Sequence, residues 1–271
     1  MSDFDRAAFD AALRTRRLGR SLLVRDQAGS TNDLAWEALA QGLPDGATVV
    51  AEAQSQGRGR EGRRWHMAPG KGLALSVLLH QGCDRRSFGV ISLVAGLALA
   101  RALEPLGLRA DLKWPNDLLV RGRKLSGILA ESRRLPGARN PDSTIEAAVI
   151  GVGVNVGERP EDFPEAIRER STSLAIEGCD TTREAVAAGF LNALEPLWYE
   201  LQEGSREAVL EAWRARAGFW GQPVVVRTAG GELSGIARDL NPEGALVLRL
   251  ESGIEIPVFA GDLELPSLEA S

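Results

Sequence analysis

The sequence predicts an α+β protein, with buried strands and helices interleaved in a large unit and a small all-β unit after it. Three observations carry this. TVVAEA (48–53), LALSVLL (73–79) and EAAVIGVGVNVG (146–157) read as buried strands. Longer stretches with apolar residues at helical spacing lie between and after them. From Pro223 the texture changes to short, evenly spaced strands with glycine-bearing turns.

Taken in order, residues 5–17 read as a short amphipathic helix and SLLVRD (21–26) as a strand. In STNDLAWEALAQG the apolar Leu34, Ala35, Ala38 and Leu39 fall on one helical face, and Gly42 ends the helix. TVVAEA leads into GRGREGRRW (57–65), and LALSVLL follows. GVISLVAGLALARALEPLG (89–107) reads as a buried helix closed by Gly107. DLKWPNDLLV and RKLSGILAES (111–132) read as two strands joined by a turn at Arg121–Gly122. Residues 183–202 and 205–217 are helical, with Leu191, Leu194, Leu197 and Trp198 on one face. VVVRT, LSGIARDL, ALVLRL and EIPVFA suggest a small barrel of about 50 residues. The boundary falls near Ala217, giving units 1–217 and 218–271.

The chain has 271 residues, 44% of them hydrophobic, enough for a sizeable core. Lys plus Arg is 32 against 37 for Asp plus Glu, a net charge of −5. That argues against a general nucleic-acid binder. Cys83 and Cys179 form no CxxC pair, and His66 and His80 have no zinc-ligand spacing. The N-terminus lacks the apolar core of a signal peptide. The longest uncharged apolar run, Ser87–Ala100, falls short of the roughly 20 residues that span a bilayer. The expectation is a soluble, cytoplasmic protein without membrane contact.

GRGREGRRW sets Arg58, Arg60, Arg63 and Arg64 among Gly57, Gly59 and Gly62 in an acidic chain. The charge is local and points to a small anionic ligand. The stretch matches GxGxxG, but a strand rather than a helix follows, so a dinucleotide fold does not fit. What remains is a strand–loop–strand whose arginines offer forked donors to phosphate or carboxylate and whose glycine N–H groups can turn inward. The alternative is a solvated surface loop. In KWPND (113–117), Pro115 breaks a strand ladder and Lys113, Asn116 and Asp117 stand beside the break, as a ligand site or an ordinary turn. Lys124 opens an otherwise apolar run, either reaching solvent or fixing a positive charge in a pocket, and Gly127 permits close backbone approach. Ser30 or Thr31 caps a helix, with Asp33 favouring its dipole; the same short side chains could serve a polar ligand edge. GVGVN (151–155) ends a strand in glycines and Asn155.

In this order, STN, Q-x-x-GRGRxGRxW, KWPNDL, RKLxGILxE and GxGxN resemble the biotin–protein ligases over most of the chain. The resemblance implies a catalytic domain with a mixed β-sheet flanked by helices, similar to class II tRNA synthetases and lipoate ligases, and a small C-terminal SH3-like β-barrel. It implies a reaction in two steps. The biotin carboxylate attacks the α-phosphorus of ATP, with Mg²⁺, to give biotinyl-5′-AMP and pyrophosphate. A lysine of a biotin carboxyl carrier protein domain, typically of acetyl-CoA carboxylase, then takes the biotinyl group and releases AMP.

Carried over by motif, Ser30, Thr31, Asn32 and Gln54 would contact biotin, and Gly57, Gly127, Gly151 and Gly153 would line its pocket. Arg58, Gly59, Arg60 and Arg63 would hold the biotin tail and the phosphates. Lys124 would bind both reacting groups. Lys113, Asn116 and Asn155 would lie near the nucleotide, Trp65 and Trp114 would wall the pocket, and Asp117 would position the incoming lysine or a Mg²⁺-bound group. The metal ligands stay open. Repressor-type members carry a winged helix-turn-helix before the catalytic domain; here about 20 residues precede SLLVRD. No DNA binding is therefore expected. A homodimer through strand edges or the Ser87–Leu103 helix is left open. Two other readings are a biotin-sensing binding module and a ligase for lipoate or octanoate.

Overall fold

In a computed structural model, residues 4–81, 83, 85–134 and 147–265 are described. Seven strands form the large sheet: β1 (Leu22–Arg25), β2 (Thr48–Ala51), β3 (Leu73–Leu79), β4 (Asp111–Lys113), β5 (Asp117–Val120), β6 (Arg123–Arg133) and β7 (Ala147–Val154). Their spatial order is β1-β2-β3-β7-β6-β5-β4. The β1–β2 pair is parallel, joined through helix α2 (Thr31–Ala40), and every other pair is antiparallel. The expected mixed sheet is present. Glu146, which opens the expected strand at 146–157, lies outside the described residues.

Strand alternation gives the two faces different jobs. On one face Leu73, Leu75, Val77 and Leu79 of β3, with Ala148, Ile150, Val152 and Val154 of β7, enter the main core. Helix α3 (Arg85–Leu103) covers them and packs against α5 (Arg183–Gln202). Leu191, Leu194, Leu197 and Trp198 of α5 are all fully buried, as their spacing predicts. On the other face several of the alternate positions are small. Ala74 of β3, Gly153 of β7 and Gly127 of β6 stand in one cross-strand row, and Ser76, Gly151 and Leu129 in the next. A hollow opens there, and α2 closes one end of this face over Val49, Leu78 and Val149.

Four expectations need correction. The N-terminal helix is only α1 (Arg6–Ala12). Beyond it the backbone N–H groups of Arg16, Arg17 and Leu18 donate to the Glu195 carboxylate of α5, which replaces further helical bonds. The 111–132 stretch holds three strands, because Trp114–Asn116 turn the chain between β4 and β5. β4 is a sheet edge, where Pro115 leaves no ladder bond unmade. Phe88–Leu106, with Arg101 and Glu104 included, is long and apolar enough by composition to cross a membrane. In the fold it is α3 and the 3₁₀ turn after it, packed between sheet and α5, with most of Val90–Leu103 buried. Gly107 ends it at φ 73°.

The fourth correction concerns the C-terminal unit. After α6 (Arg206–Arg214), strands β8 (Pro223–Thr228), β9 (Gly231–Leu240), β10 (Leu246–Arg249), β11 (Glu255–Val258) and β12 (Asp262–Glu264) form an SH3-like antiparallel sheet, in order β11-β10-β9-β8-β12. Among the described residues its two ends do not pair, so the barrel is not closed by a strand ladder. It docks on the first unit through directional bonds. The buried Trp114 Nε1–H donates to the Gly244 carbonyl at 3.1 Å, and the Arg214 guanidinium at the end of α6 donates to the Leu240 carbonyl at 2.8 Å. β12 is thereby carried to the mouth of the hollow.

Candidate active site

The hollow is part of a cavity of about 810 Å³. Its floor is the row of small residues, and the glycines are needed for space rather than for torsion. A Cβ at Gly151 would overlap the Asn32 amide, and one at Gly153 would overlap the Trp65 indole. The cavity takes in Ser30, Thr31, Asn32, Gln54, Arg58, Gly59, Arg60, Arg63, Trp65, Lys113, Trp114, Asn116, Asp117, Lys124, Gly127, Gly151, Gly153 and Asn155. Motifs spread over more than a hundred residues of chain therefore converge on one site. Gly57 is the exception. It lies beneath the loop, where an added Cβ would sit 2.6 Å from the Trp65 carbonyl oxygen, so it serves loop closure instead of the pocket wall.

One end of the cavity is polar and neutral. Ser30 stands at the N-cap of α2 but makes no side-chain capping bond. The Thr31 N–H, one of the open donors of the helix start, goes to Gln54 Oε1 at 2.8 Å. Ser76 Oγ, fully buried, lies 2.8 Å from Thr31 Oγ1 and 2.7 Å from Asn32 Oδ1. Asn32 Nδ2 donates to the Leu129 carbonyl and to Glu131.

The lining as a whole is strongly basic. Seven Lys and Arg side chains line the cavity against three Asp and Glu. The 57–65 loop is a compact hairpin-like turn. Gly59 N–H bonds to the Arg63 carbonyl at 2.7 Å, Arg63 N–H to Arg60 and Trp65 N–H to Gly57. Of the loop glycines, Gly59 therefore spends its N–H inside the loop, where the expectation had it free to turn to a ligand. The arginines point outward from this frame. Arg58 pairs with Asp33 at 2.6 Å and with Glu131 at 3.1 Å, and the hydrogen bond it donates to Asp33 holds its guanidinium above its ordinary range. Arg63 pairs with Asp262 of β12. Lys124 pairs with Asp117 at 2.6 Å and stands 6.0 Å from the Trp65 ring centre.

Arg60 and Lys113 differ from these three. Neither has an ion-pair partner among the described residues, and burial pushes both below their ordinary ranges. A desolvated cation without a close counter-charge is stabilised by an incoming anion, and these two face the same cavity.

Two expected residues are occupied by structure. Asn116 Nδ2 donates to the Ile128 carbonyl at 2.7 Å, and Asn155 Nδ2 to Thr172 at 2.8 Å. Both brace strand ends at the cavity rim. The sequence reading did not find Glu131, Ser76, Arg170, Ser171 or the β12 residues Asp262 and Glu264. Ser76 is hidden inside an apolar strand, and β12 belongs to the other sheet. Glu131 sat in the RKLSGILAE run and had a signal, since a carboxylate there is half buried beside a glycine-floored face.

Against known proteins, residues 24–155 match the Biotin/lipoate A/B protein ligase family and residues 219–263 the Biotin protein ligase C terminal domain. A biotin--[acetyl-CoA-carboxylase] ligase of Mycobacterium tuberculosis is 36% identical over 253 residues, covering 90% of this chain and 88% of that protein. The bifunctional ligase/repressor BirA of Bacillus subtilis is 31% identical over 255 residues, 93% of this chain and 76% of that protein. The biotin protein ligase from Aquifex aeolicus in complex with biotin and ATP superposes with a TM-score of 0.74 at 26% identity, covering 90% of this chain and 98% of that one. The motifs, the glycine-floored basic cavity and these matches agree: the chain belongs to the biotin/lipoate A/B protein ligase family.

Proposed function

We propose that the chain is an ATP-dependent ligase that makes biotinyl-5′-AMP and passes biotin to a lysine of a biotin carboxyl carrier domain, as in acetyl-CoA carboxylase. The observation that supports this most is the presence, in one cavity, of a neutral polar end and an excess of lining cations.

The neutral end suits the ureido ring. Thr31, Asn32 and Gln54 supply donors and acceptors, and Gly127, Gly151 and Gly153 leave room for the bicycle. The basic end suits the triphosphate. Adenylation brings a carboxylate to a polyanion, so their repulsion must be offset and the charge developing at phosphorus stabilised. Arg60 and Lys113 meet the anion without first leaving a partner. Lys124, Arg58 and Arg63 exchange a carboxylate for a phosphate oxygen or the biotin carboxylate. In the second step a carrier lysine attacks the acyl carbon and AMP leaves with its electron pair. Asp117, freed when Lys124 turns to the ligand, is placed to accept the proton of that amine.

Mg²⁺ enters with the triphosphate. Among the described residues no group of three carboxylate, histidine or cysteine side chains is arranged around a metal position. That suits an ion held chiefly by phosphate oxygens and water. The division of the chain near Ala217 fits a C-terminal match that begins at residue 219. A supply of ATP supports a cytoplasmic location for the reaction. The repressor activity in the name of the Bacillus subtilis relative is not carried over.

The test is transfer. Protein, biotin, ATP and Mg²⁺ are incubated with a purified carrier domain, and the product is mapped by mass spectrometry. One biotinyl group on one lysine, dependent on ATP and absent with lipoate, is expected. An unmodified carrier would overturn the reading.

A further inference from the structure

We propose that Glu131 is the positioning residue that sets the hydrogen-bond polarity of the biotin end of the cavity. The proposal rests on the reading of Thr31, Asn32 and Gln54 as the ureido site. Glu131 touches neither end of the substrate in that reading; it acts through a chain of four side chains.

The direction of the chain follows from what each group can do. An ionised carboxylate and a backbone carbonyl only accept. Asn32 has the Glu131 carboxylate at 2.9 Å and the Leu129 carbonyl at 3.2 Å on one side, so its NH₂ must point there. That fixes the amide orientation through its partners. Its Oδ1 then faces Ser76 Oγ at 2.7 Å, and the Ser76 proton goes to it. With that proton spent, Ser76 Oγ accepts from Thr31, 2.8 Å away. The Thr31 hydroxyl is left with its lone pairs available to the cavity. Its other neighbour, Gln54 Oε1, is 3.3 Å away and already takes the Thr31 N–H.

Thr31 is thus held as an acceptor, which a ureido N–H matches and a dithiolane ring does not. The three groups are at most 4% exposed, so water cannot supply the missing partner if one link is cut. Glu131 itself is anchored. Trp36 Nε1–H donates to it at 3.3 Å, and Arg58 of the 57–65 loop pairs with it at 3.1 Å. The same carboxylate therefore joins the ureido site to the loop over the phosphate end.

Glu131→Gln keeps the shape but can donate, which lets the Asn32 amide turn over and reverses the chain. Biotin dissociation constants are measured by calorimetry, and KM values for biotin and ATP by pyrophosphate exchange, with melting curves as a fold check. Glu131→Gln is expected to weaken biotin on the order of 10- to 100-fold, the worth of one well-placed charged hydrogen bond. The ATP KM should change less than the biotin dissociation constant, because Arg58 keeps Asp33 as a partner, and Glu131→Asp should recover part of the loss. Biotin methylated on both ureido nitrogens should bind the wild type worse than biotin does, and that penalty should shrink in Glu131→Gln. Ser76→Ala cuts the chain in the middle and decides the matter if Glu131→Gln does not fold; it should weaken biotin similarly. Variants that bind biotin like the wild type with an unchanged methylation penalty would overturn the role of Glu131 alone. A wild type that binds no biotin would overturn the ligand reading and this proposal with it.

Discussion

The Lys124 ammonium lies 2.6 Å from the Asp117 carboxylate, between neighbouring strands β5 and β6. The Lys124 backbone is pinned on both sides, its N–H to the Arg170 carbonyl at 2.7 Å and its carbonyl to the Thr172 N–H at 2.9 Å. Only the side chain is free to exchange Asp117 for a ligand. Lys124→Ala should therefore lower the adenylation rate on the order of 10²- to 10³-fold, as loss of a preorganised charge stabiliser does. Single-turnover formation of biotinyl-AMP measures it, and a rate within about threefold of wild type would remove Lys124 from the chemistry.

Asp117→Asn should separate the two steps. The partner of Lys124 loses its charge, so adenylate formation should continue, while transfer to the carrier lysine loses its proton acceptor. A transfer rate reduced on the order of 10²-fold with adenylation nearly intact is expected. Equal loss in both steps would make Asp117 merely a support for Lys124.

Arg60 sits partly buried without an ion-pair partner among the described residues and faces the cavity. Arg60→Ala should weaken retention of biotinyl-AMP by about 1.5–3 kcal/mol, the range for a hydrogen bond to a charged group. Release of the intermediate from a trapped complex reports it. Unchanged release would mean that Arg60 faces solvent when the site is filled.

Gly153→Ala should empty the biotin end of its shape. The new Cβ overlaps the Trp65 indole, which must shift off the floor. Biotin affinity should fall at least about tenfold while the melting temperature changes little, since the position faces a cavity and not the core. Unchanged affinity would show that the floor has room to spare.

Glu158 gives a pH signature. It is 1% exposed; burial pushes its carboxyl up to about 7, outweighing the Val156 N–H that donates to it at 2.8 Å. The folded state therefore holds a proton that the unfolded chain has released. The contribution of Glu158 to stability is fully present below the ordinary carboxylate range and is lost as pH rises from about 4.5 to about 7. The loss across that window is on the order of 3 kcal/mol at 1.36 kcal/mol per pH unit. Glu158→Gln should remove this slope and raise the melting temperature at pH 8. An equal pH slope in the wild type and in Glu158→Gln would contradict it.

The members of the site were legible because each motif breaks its own local pattern. Lys124 opens an apolar run, Pro115 interrupts a strand, and Gly151 and Gly153 alternate with valines. The alternation of small and large residues in β3 and β7 even marks which face is hollow. The pairing of charges was not legible. Asp33, Asp262 and Asp117 neutralise Arg58, Arg63 and Lys124 from three different parts of the chain, and no spacing announces that. The Gly59 amide was not legible either, because a hairpin-like turn satisfies it internally through the Arg63 carbonyl. The contribution of β12 depends on how the second sheet docks, which Trp114 and Gly244 decide across 130 residues.

The most direct measurement is biotin-dependent exchange of labelled pyrophosphate into ATP by the purified protein with Mg²⁺. Exchange with biotin and none with lipoate is expected, because the neutral end offers an acceptor for a ureido N–H and the basic end a site for the triphosphate. Biotin binding without any exchange would contradict the ligase reading and leave a binding module in its place.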